Sequence, residues 1–395
     1  MGGFKLSKSD FAQIAASELV GSQIGLPLVG SAAALAVRFG NMVLSETFEI
    51  KQAGHSKYGK YLIEDIFYLR QKYNNEKWIH RNLPYVELVS FVGRARSAKD
   101  YKLLISAENK LFRCSPFEDD IIERIRDTAF AKFSDDRRIT HDSTIIRLSS
   151  VADKGTETEL KIQRTKYSEQ ARSNLILDFK VEAGSVMSMR EHLLGEFTRT
   201  LPPLTDERLA NTLGVAILVF YRDGENLVPF FVPRTKEPAV FNYGEWHCTA
   251  SGAAEWPDDF EGTSKTFEAF ILDDLYTELR EEVGLMPEDV TNVLPLSICR
   301  ELVRGGKPQL FFIGFTELEF DELVVRMERA RDVVLPRSEP TEVFKMPLFR
   351  FPRSMKSVEE LTSEFESGGF TSEGATSLFY ALQFLEGAIA DRLNV

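Results

Sequence analysis

Residues 277–285 read Thr277-Glu278-Leu279-Arg280-Glu281-Glu282-Val283-Gly284-Leu285, with Asp273 and Asp274 just upstream, and this stretch decides the reading of the chain. On a helix, spacings of three and four bring Asp274, Glu278, Glu281 and Glu282 onto one face. Like charges placed that way repel, at a cost of a few tenths of a kcal/mol per pair. Such a face is either left in water or neutralised by a cation. Arg280 is the one basic residue inside the cluster. Hard divalent ions such as Mg²⁺ and Mn²⁺ prefer carboxylate oxygens, and Mg²⁺ characteristically bridges them to phosphates. Gly284 suits a left-handed helix stop, and Leu285 begins the exit loop.

Working outward, the acidic helix is predicted to run from about residue 263 to 283 between strands. Residues 213–221 (LGVAILVFY) form an uninterrupted apolar run, the mark of a buried strand, and 227–233 (LVPFFVP) follow a turn at Arg222-Asp223-Gly224-Glu225. A third strand covers 245–250 and runs into Ser251-Gly252. Residues 293–302 and 309–316 return to strand character. Helix 321–331, a short strand at 342–346 and a long amphipathic helix at 372–393 complete the pattern. Strands, a central acidic helix, more strands and closing helices imply an α/β sandwich with a mixed sheet.

The acidic segment resembles the signature of the Nudix hydrolase superfamily. That signature is Gly, five residues, Glu, seven residues, then Arg-Glu-U-x-Glu-Glu-x-Gly-U, with U bulky and aliphatic. Residues 277–285 look like its last nine positions and match eight of them, spacers included. Gly252 resembles the glycine that opens the signature, and Trp246 before it is also typical. The resemblance covers about residues 205–350. It departs at Thr277, which replaces the arginine that in the family orients the loop and glutamates. The segment after Gly252 is also longer than the signature allows. The upstream glutamate is out of register, with Ala at 269 and Glu268 beside it.

The resemblance implies a Nudix-like α/β/α sandwich in which Glu278, Glu281 and Glu282 hold Mg²⁺ or Mn²⁺ and cleave a diphosphate bond in a nucleoside diphosphate derivative, such as a nucleotide sugar or dinucleotide. It also implies a further base after the helix, with Glu317 or Glu319 as candidates, and a phosphate-reaching arginine at the end of a core strand, for which Arg234 is placed. Arg300 and Arg304 flank the next strand and are candidate phosphate contacts. Trp246, Phe241 and Tyr243 are candidates to stack a base or sugar, although core packing competes for them. An isomerase of isoprenyl diphosphates needs a histidine-rich metal site and a reactive Cys. Only His247 stands near Cys248, so that activity is disfavoured. The second reading is a nucleotide sensor: the altered domain binds without rapid turnover, and the N-terminal half acts as effector or membrane attachment.

The N-terminal half shows no repeat and no phosphate-loop pattern. It carries predicted helices at 9–19, 60–75 and 119–133, strands at 85–92 and 101–112, and a hairpin of 144–150 with 159–163. It reads as a mixed α/β or α+β domain over 1–200, separated from 201–395 by the Pro-rich stretch TRTLPPLT at 198–205. Residues 19–37 lack charge. Their glycines, Pro27 and polar residues favour two short buried helices over a membrane anchor. The net charge of −12 disfavours general DNA or RNA binding. Three widely spaced cysteines argue against a disulfide framework or zinc cluster and for a reducing cytoplasm. The five histidines form no metal-ligand spacing. The partner expected is a small nucleotide, and the closing helix is a candidate homodimer surface.

Overall fold

The computed structural model describes residues 61–93, 102–136, 139, 141–180, 187–224, 226–233, 245–257, 267–334 and 370–390. Asp65 accepts the Tyr68 N–H and so starts helix α1 (Ile66–Lys72). Strands β1 (Trp78–His80) and β2 (Leu83–Ser90) pair antiparallel. Strand β3 (Lys102–Leu111) covers the strand expected at 101–112, with a register shift between Glu108 and Leu111. Helix α2 (Asp120–Asp135) is capped by Asp119. Strands β4 (Thr144–Asp153) and β5 (Glu157–Lys166) form the expected hairpin, with Gly155 at φ +86° in its turn. Helices α3 (Tyr167–Arg172) and α4 (Met189–Glu196) follow, the latter begun by a Ser188/Glu191 capping box.

Next come β6 (Gly214–Asp223), β7 (Asn226–Pro229), β8 (Val232–Pro233), β9 (Trp246–His247) and β10 (Ala250–Ala253). The strand expected over 245–250 is thus two short ones. A bend at Cys248 and Thr249 hands the chain from β8, which pairs with β9, to β6, which pairs with β10. A π turn (Glu268–Leu272) then leads into α5 (Asp273–Val283). Strands β11 (Thr291–Glu301) and β12 (Lys307–Phe315), helix α6 (Phe320–Val334) and helix α7 (Ser372–Ala390) complete the described elements. The helix expected from 9, the apolar segment 19–37 and the strand expected at 342–346 lie outside the described residues.

The main sheet runs β1-β2-β11-β12-β6-β10, with β7 continuing the pairing on β6. Its central pair, β6 and β12, is parallel and the other neighbours are antiparallel, so the sheet is mixed. Both central strands are buried on both faces, which is why they read as unbroken apolar runs. Adjacent β12 residues find helices on opposite sides: Phe311 stacks on Tyr380 of α7, and Phe312 faces Phe267, ahead of α5. A smaller sheet, β3-β5-β4, has a parallel pair in β3 and β5.

Strand β2 pairs with β11 through Glu87↔Cys299 and Val86↔Arg300. Ile146, Leu148, Leu160 and Ile162 share one core with Val215 and Phe312. The division expected at residues 200 and 201 therefore falls within one sheet and one core, and Tyr61–Val395 group as one unit. The reason is chemical: β11 is buried from Leu296 to Glu301, and the backbone groups on its outer edge need a strand partner. A second core gathers around α1, α2 and α4, from Leu69 and Phe133 to Leu193 and Leu302.

In helix α7, Leu378, Tyr380, Ala381, Leu382 and Leu385 are buried within the chain itself, as are most of the side chains described over 372–386. Among the described residues, no helix is long and apolar enough to cross a membrane.

Candidate functional site

Helix α5 buries Leu275, Leu279 and Val283, one residue per turn, against the sheet. That stripe fixes the rotation of the helix and turns its acidic face toward β10. The helix ends on Gly284, at φ +68°, whose N–H returns to the Arg280 carbonyl at 3.1 Å. A β-carbon at Gly284 would also stand 2.7 Å from the Arg326 carbonyl oxygen on α6, so glycine is required there twice over.

Strand β10 is the sheet edge, and its outward backbone groups need partners. Glu282 Oε2 accepts the Ser251 N–H at 3.1 Å. Glu278 lies directly over Gly252: a β-carbon built on Gly252 would collide with Glu278 Oε1. Asp274 accepts a hydrogen bond from the Glu255 backbone N–H, and its Oδ2 atom is buried with no hydrogen-bond partner. Glu281 stays exposed, with Arg280 at 3.8 Å and both side chains largely in water, a pairing of little energetic weight.

The electrostatics follow from that crowding. Burial, then the charges of Glu282, Asp274, Glu281 and Glu255, push Glu278 up to about 9. Burial and the charges of Glu255 and Glu281 raise Asp274 to about 7, against the pull of its backbone hydrogen bond. Four helix carboxylates and Glu255 therefore converge on one region, with Arg280 beside Glu281 at its exposed edge. Asp274 was visible on the acidic face of the sequence. Glu255 was not singled out, because no helical or strand spacing links it to the helix. Its place near Asp274 comes from the chain leaving β10 at the end that meets α5.

Thr277 stands where the resemblance has arginine. Its hydroxyl donates to the Asp273 carbonyl at 3.1 Å, one turn back in its own helix. Upstream, a π turn precedes the helix. A π bulge carries one residue more than regular α-helix. Counting back from Thr277 through that extra residue brings backbone position 268, not 269, to the place the signature gives to glutamate.

The other expected residues fall elsewhere. Trp246 is 6% exposed and belongs to the main core, so packing is its observed environment. Arg300 is buried on β11; its Nε donates to the Gly306 carbonyl at 3.0 Å, and the titratable groups around it are Glu76, Tyr73 and Asp206, not the acids of α5. Burial lowers its pKa to about 10. Arg304 pairs with Glu301 at 2.6 Å. Glu317 and Glu319 are exposed beyond β12. Gly252 aligns with Val215 and Val215 with Leu310, whereas β12 ends at Phe315, five residues further along, or roughly 16 Å at strand spacing. Arg234, Phe241 and Tyr243 lie outside the described residues.

What the site can do chemically is hold a hard cation through several carboxylates and present it to solvent beside Glu281. No family model matches this chain, and no curated protein matches it.

Proposed function

We propose that this chain is a divalent-metal-dependent hydrolase, built on a Nudix-like α/β/α sandwich, that splits a diphosphate bond in a nucleoside diphosphate derivative such as a nucleotide sugar or dinucleotide. The observation that carries the reading is the seating of Glu278 on Gly252 beside Glu282 on the Ser251 N–H. The signature's glycine and its glutamates are far apart in sequence, and here they meet. The donor set suits Mg²⁺ or Mn²⁺: carboxylate oxygens alone, including a buried Asp274 oxygen that lacks a partner.

Glu278, Glu281 and Glu282 would hold the ion, which when bound polarises a phosphoryl oxygen and lowers the pKa of a coordinated water. The protein's own groups set the geometry. The Ser251 N–H fixes Glu282, Gly252 leaves room for Glu278, and Leu275 and Leu279 lock the helix rotation. Exposed Glu281 is the member open to a water or a substrate oxygen. A cytoplasmic setting suits three buried cysteines that form no disulfide.

One observation favours the sensor alternative: Thr277 closes onto its own helix and offers the glutamates no positive charge. Release of nucleoside monophosphate from a panel of nucleoside diphosphate derivatives, with and without Mg²⁺, separates the two. The hydrolase reading expects Mg²⁺-dependent turnover that disappears in Glu281→Gln plus Glu282→Gln. Saturable nucleotide binding with no turnover in either protein would establish the sensor instead.

A further inference from the structure

On the other face of the sheet, the first turn of α7 meets β9. The Thr371 N–H donates to the Trp246 carbonyl at 2.9 Å. A β-carbon on Gly374 would stand 2.9 Å from that carbonyl oxygen and 3.0 Å from the His247 Cα, so glycine permits the approach. The result brings His247, Cys248 and Glu373 together, with one ligand-type atom of each within 4.8 Å of the others. His247 and Cys248 are adjacent in sequence. They converge because the chain bends after β9, which breaks the strand alternation that would send them to opposite faces.

The geometry points to a zinc site formed by the Cys248 thiolate, the His247 imidazole and the Glu373 carboxylate. His247 Nε2 and Glu373 Oε2 face each other at 3.8 Å. Tetrahedral zinc, with bonds of about 2.0–2.3 Å, places its ligand atoms about 3.3–3.8 Å apart. The outer atoms are already held in the way metal ligands usually are. His247 Nδ1 bonds Thr371 Oγ1 at 2.6 Å, and Glu373 Oε1 accepts from Gln309 Nε2 at 2.8 Å. Ser251 Oγ, 2.7 Å from His247 Nε2, marks the side on which a fourth ligand would sit. A thiolate with an imidazole selects a softer ion than the carboxylate cluster does. All three side chains are buried or nearly so. Binding would release the proton that the Cys248 thiol now directs at the Ala250 carbonyl, 3.5 Å away, giving Zn–S bond formation and one proton to solvent. The inference does not depend on the hydrolase reading.

The test uses the full-length protein, stripped with a chelator and titrated with Co²⁺ as an optical stand-in for Zn²⁺. The expected result is a thiolate-to-cobalt charge-transfer band that saturates at one equivalent and is erased by Zn²⁺. It should vanish in Cys248→Ala and persist in Cys114→Ala and Cys299→Ala. Glu373→Gln, which keeps the thiol and the shape, should weaken Co²⁺ binding by about tenfold or more, and it decides the matter if circular dichroism shows Cys248→Ala unfolded. Co²⁺ held by the carboxylate cluster gives no thiolate band, so the two sites are read separately. Absence of the band in the wild type, its survival in folded Cys248→Ala, or unchanged affinity in Glu373→Gln would overturn the assignment.

Discussion

The carboxylate of Glu278 occupies the space where a side chain on Gly252 would begin. A strand residue and a helix residue are thereby committed to each other: the strand must carry glycine for the helix to bring its acid against the sheet edge. Replacing Gly252 with Ala forces Glu278 out or pushes β10 away from α5. We expect turnover to fall at least about tenfold, roughly 1.4 kcal/mol in the barrier, with the circular dichroism spectrum retained. Steady-state kinetics beside a thermal melt measure both, and unchanged turnover would mean that Glu278 has no part in the reaction.

The crowded carboxylates also make metal-free stability depend on pH. Glu278 is raised from 4.5 to about 9 and Asp274 from 3.8 to about 7. With folded values above unfolded ones, the folded chain binds more protons than the unfolded chain between those limits, so unfolding becomes easier as pH rises through them. The urea midpoint of the metal-free protein should therefore fall from about pH 5 to about pH 9. Saturating Mg²⁺ should flatten the slope, as should Glu278→Gln. A metal-free midpoint that rises over this range would contradict the arrangement.

Thr277 tests the resemblance from the opposite direction. An arginine there places a cation next to Glu278 and Glu281, as the family pattern does. Thr277→Arg should raise turnover several-fold at limiting Mg²⁺ without moving the melting temperature by more than a few degrees. A loss of turnover would show that this site has settled on a different support for its acids.

A stability prediction concerns the second core. The Arg190 guanidinium is buried and bidentate to Asp178, at 2.7 Å for each bond, and also reaches Tyr73 and the Leu302 and Val303 carbonyls. Asp178→Asn leaves that guanidinium without its counter-charge. The expected cost is about 3–5 kcal/mol, read by urea denaturation, and a change below about 1 kcal/mol would show that the carbonyls alone hold the arginine.

The sequence made some of this legible and hid the rest for physical reasons. Strands β6 and β12 stood out because burial on both faces removes polar residues from the run. Helix α5 stood out because its acids recur at helical spacing and Gly284 marks its end. The joining of β2 to β11 was hidden, since edge pairing uses backbone groups that every residue carries. The convergence of Glu255 on Asp274, and of Glu373 on His247 and Cys248, was hidden as well. Each depends on where a strand ends or where a helix begins, and no spacing rule connects such distant positions. Arg300 looked like a phosphate contact because it flanks a core strand, but two strands, β12 and β6, separate β11 from β10 along the sheet order, and its neighbours are Glu76 and Tyr73.

Binding of Mn²⁺ followed by electron paramagnetic resonance is the most direct test of the acidic cluster. The account predicts saturable binding to the wild type that Mg²⁺ displaces, and loss of that binding in Glu278→Gln plus Glu282→Gln. Mn²⁺ that stays free in solution with the wild type, or binds the double variant equally well, would contradict it.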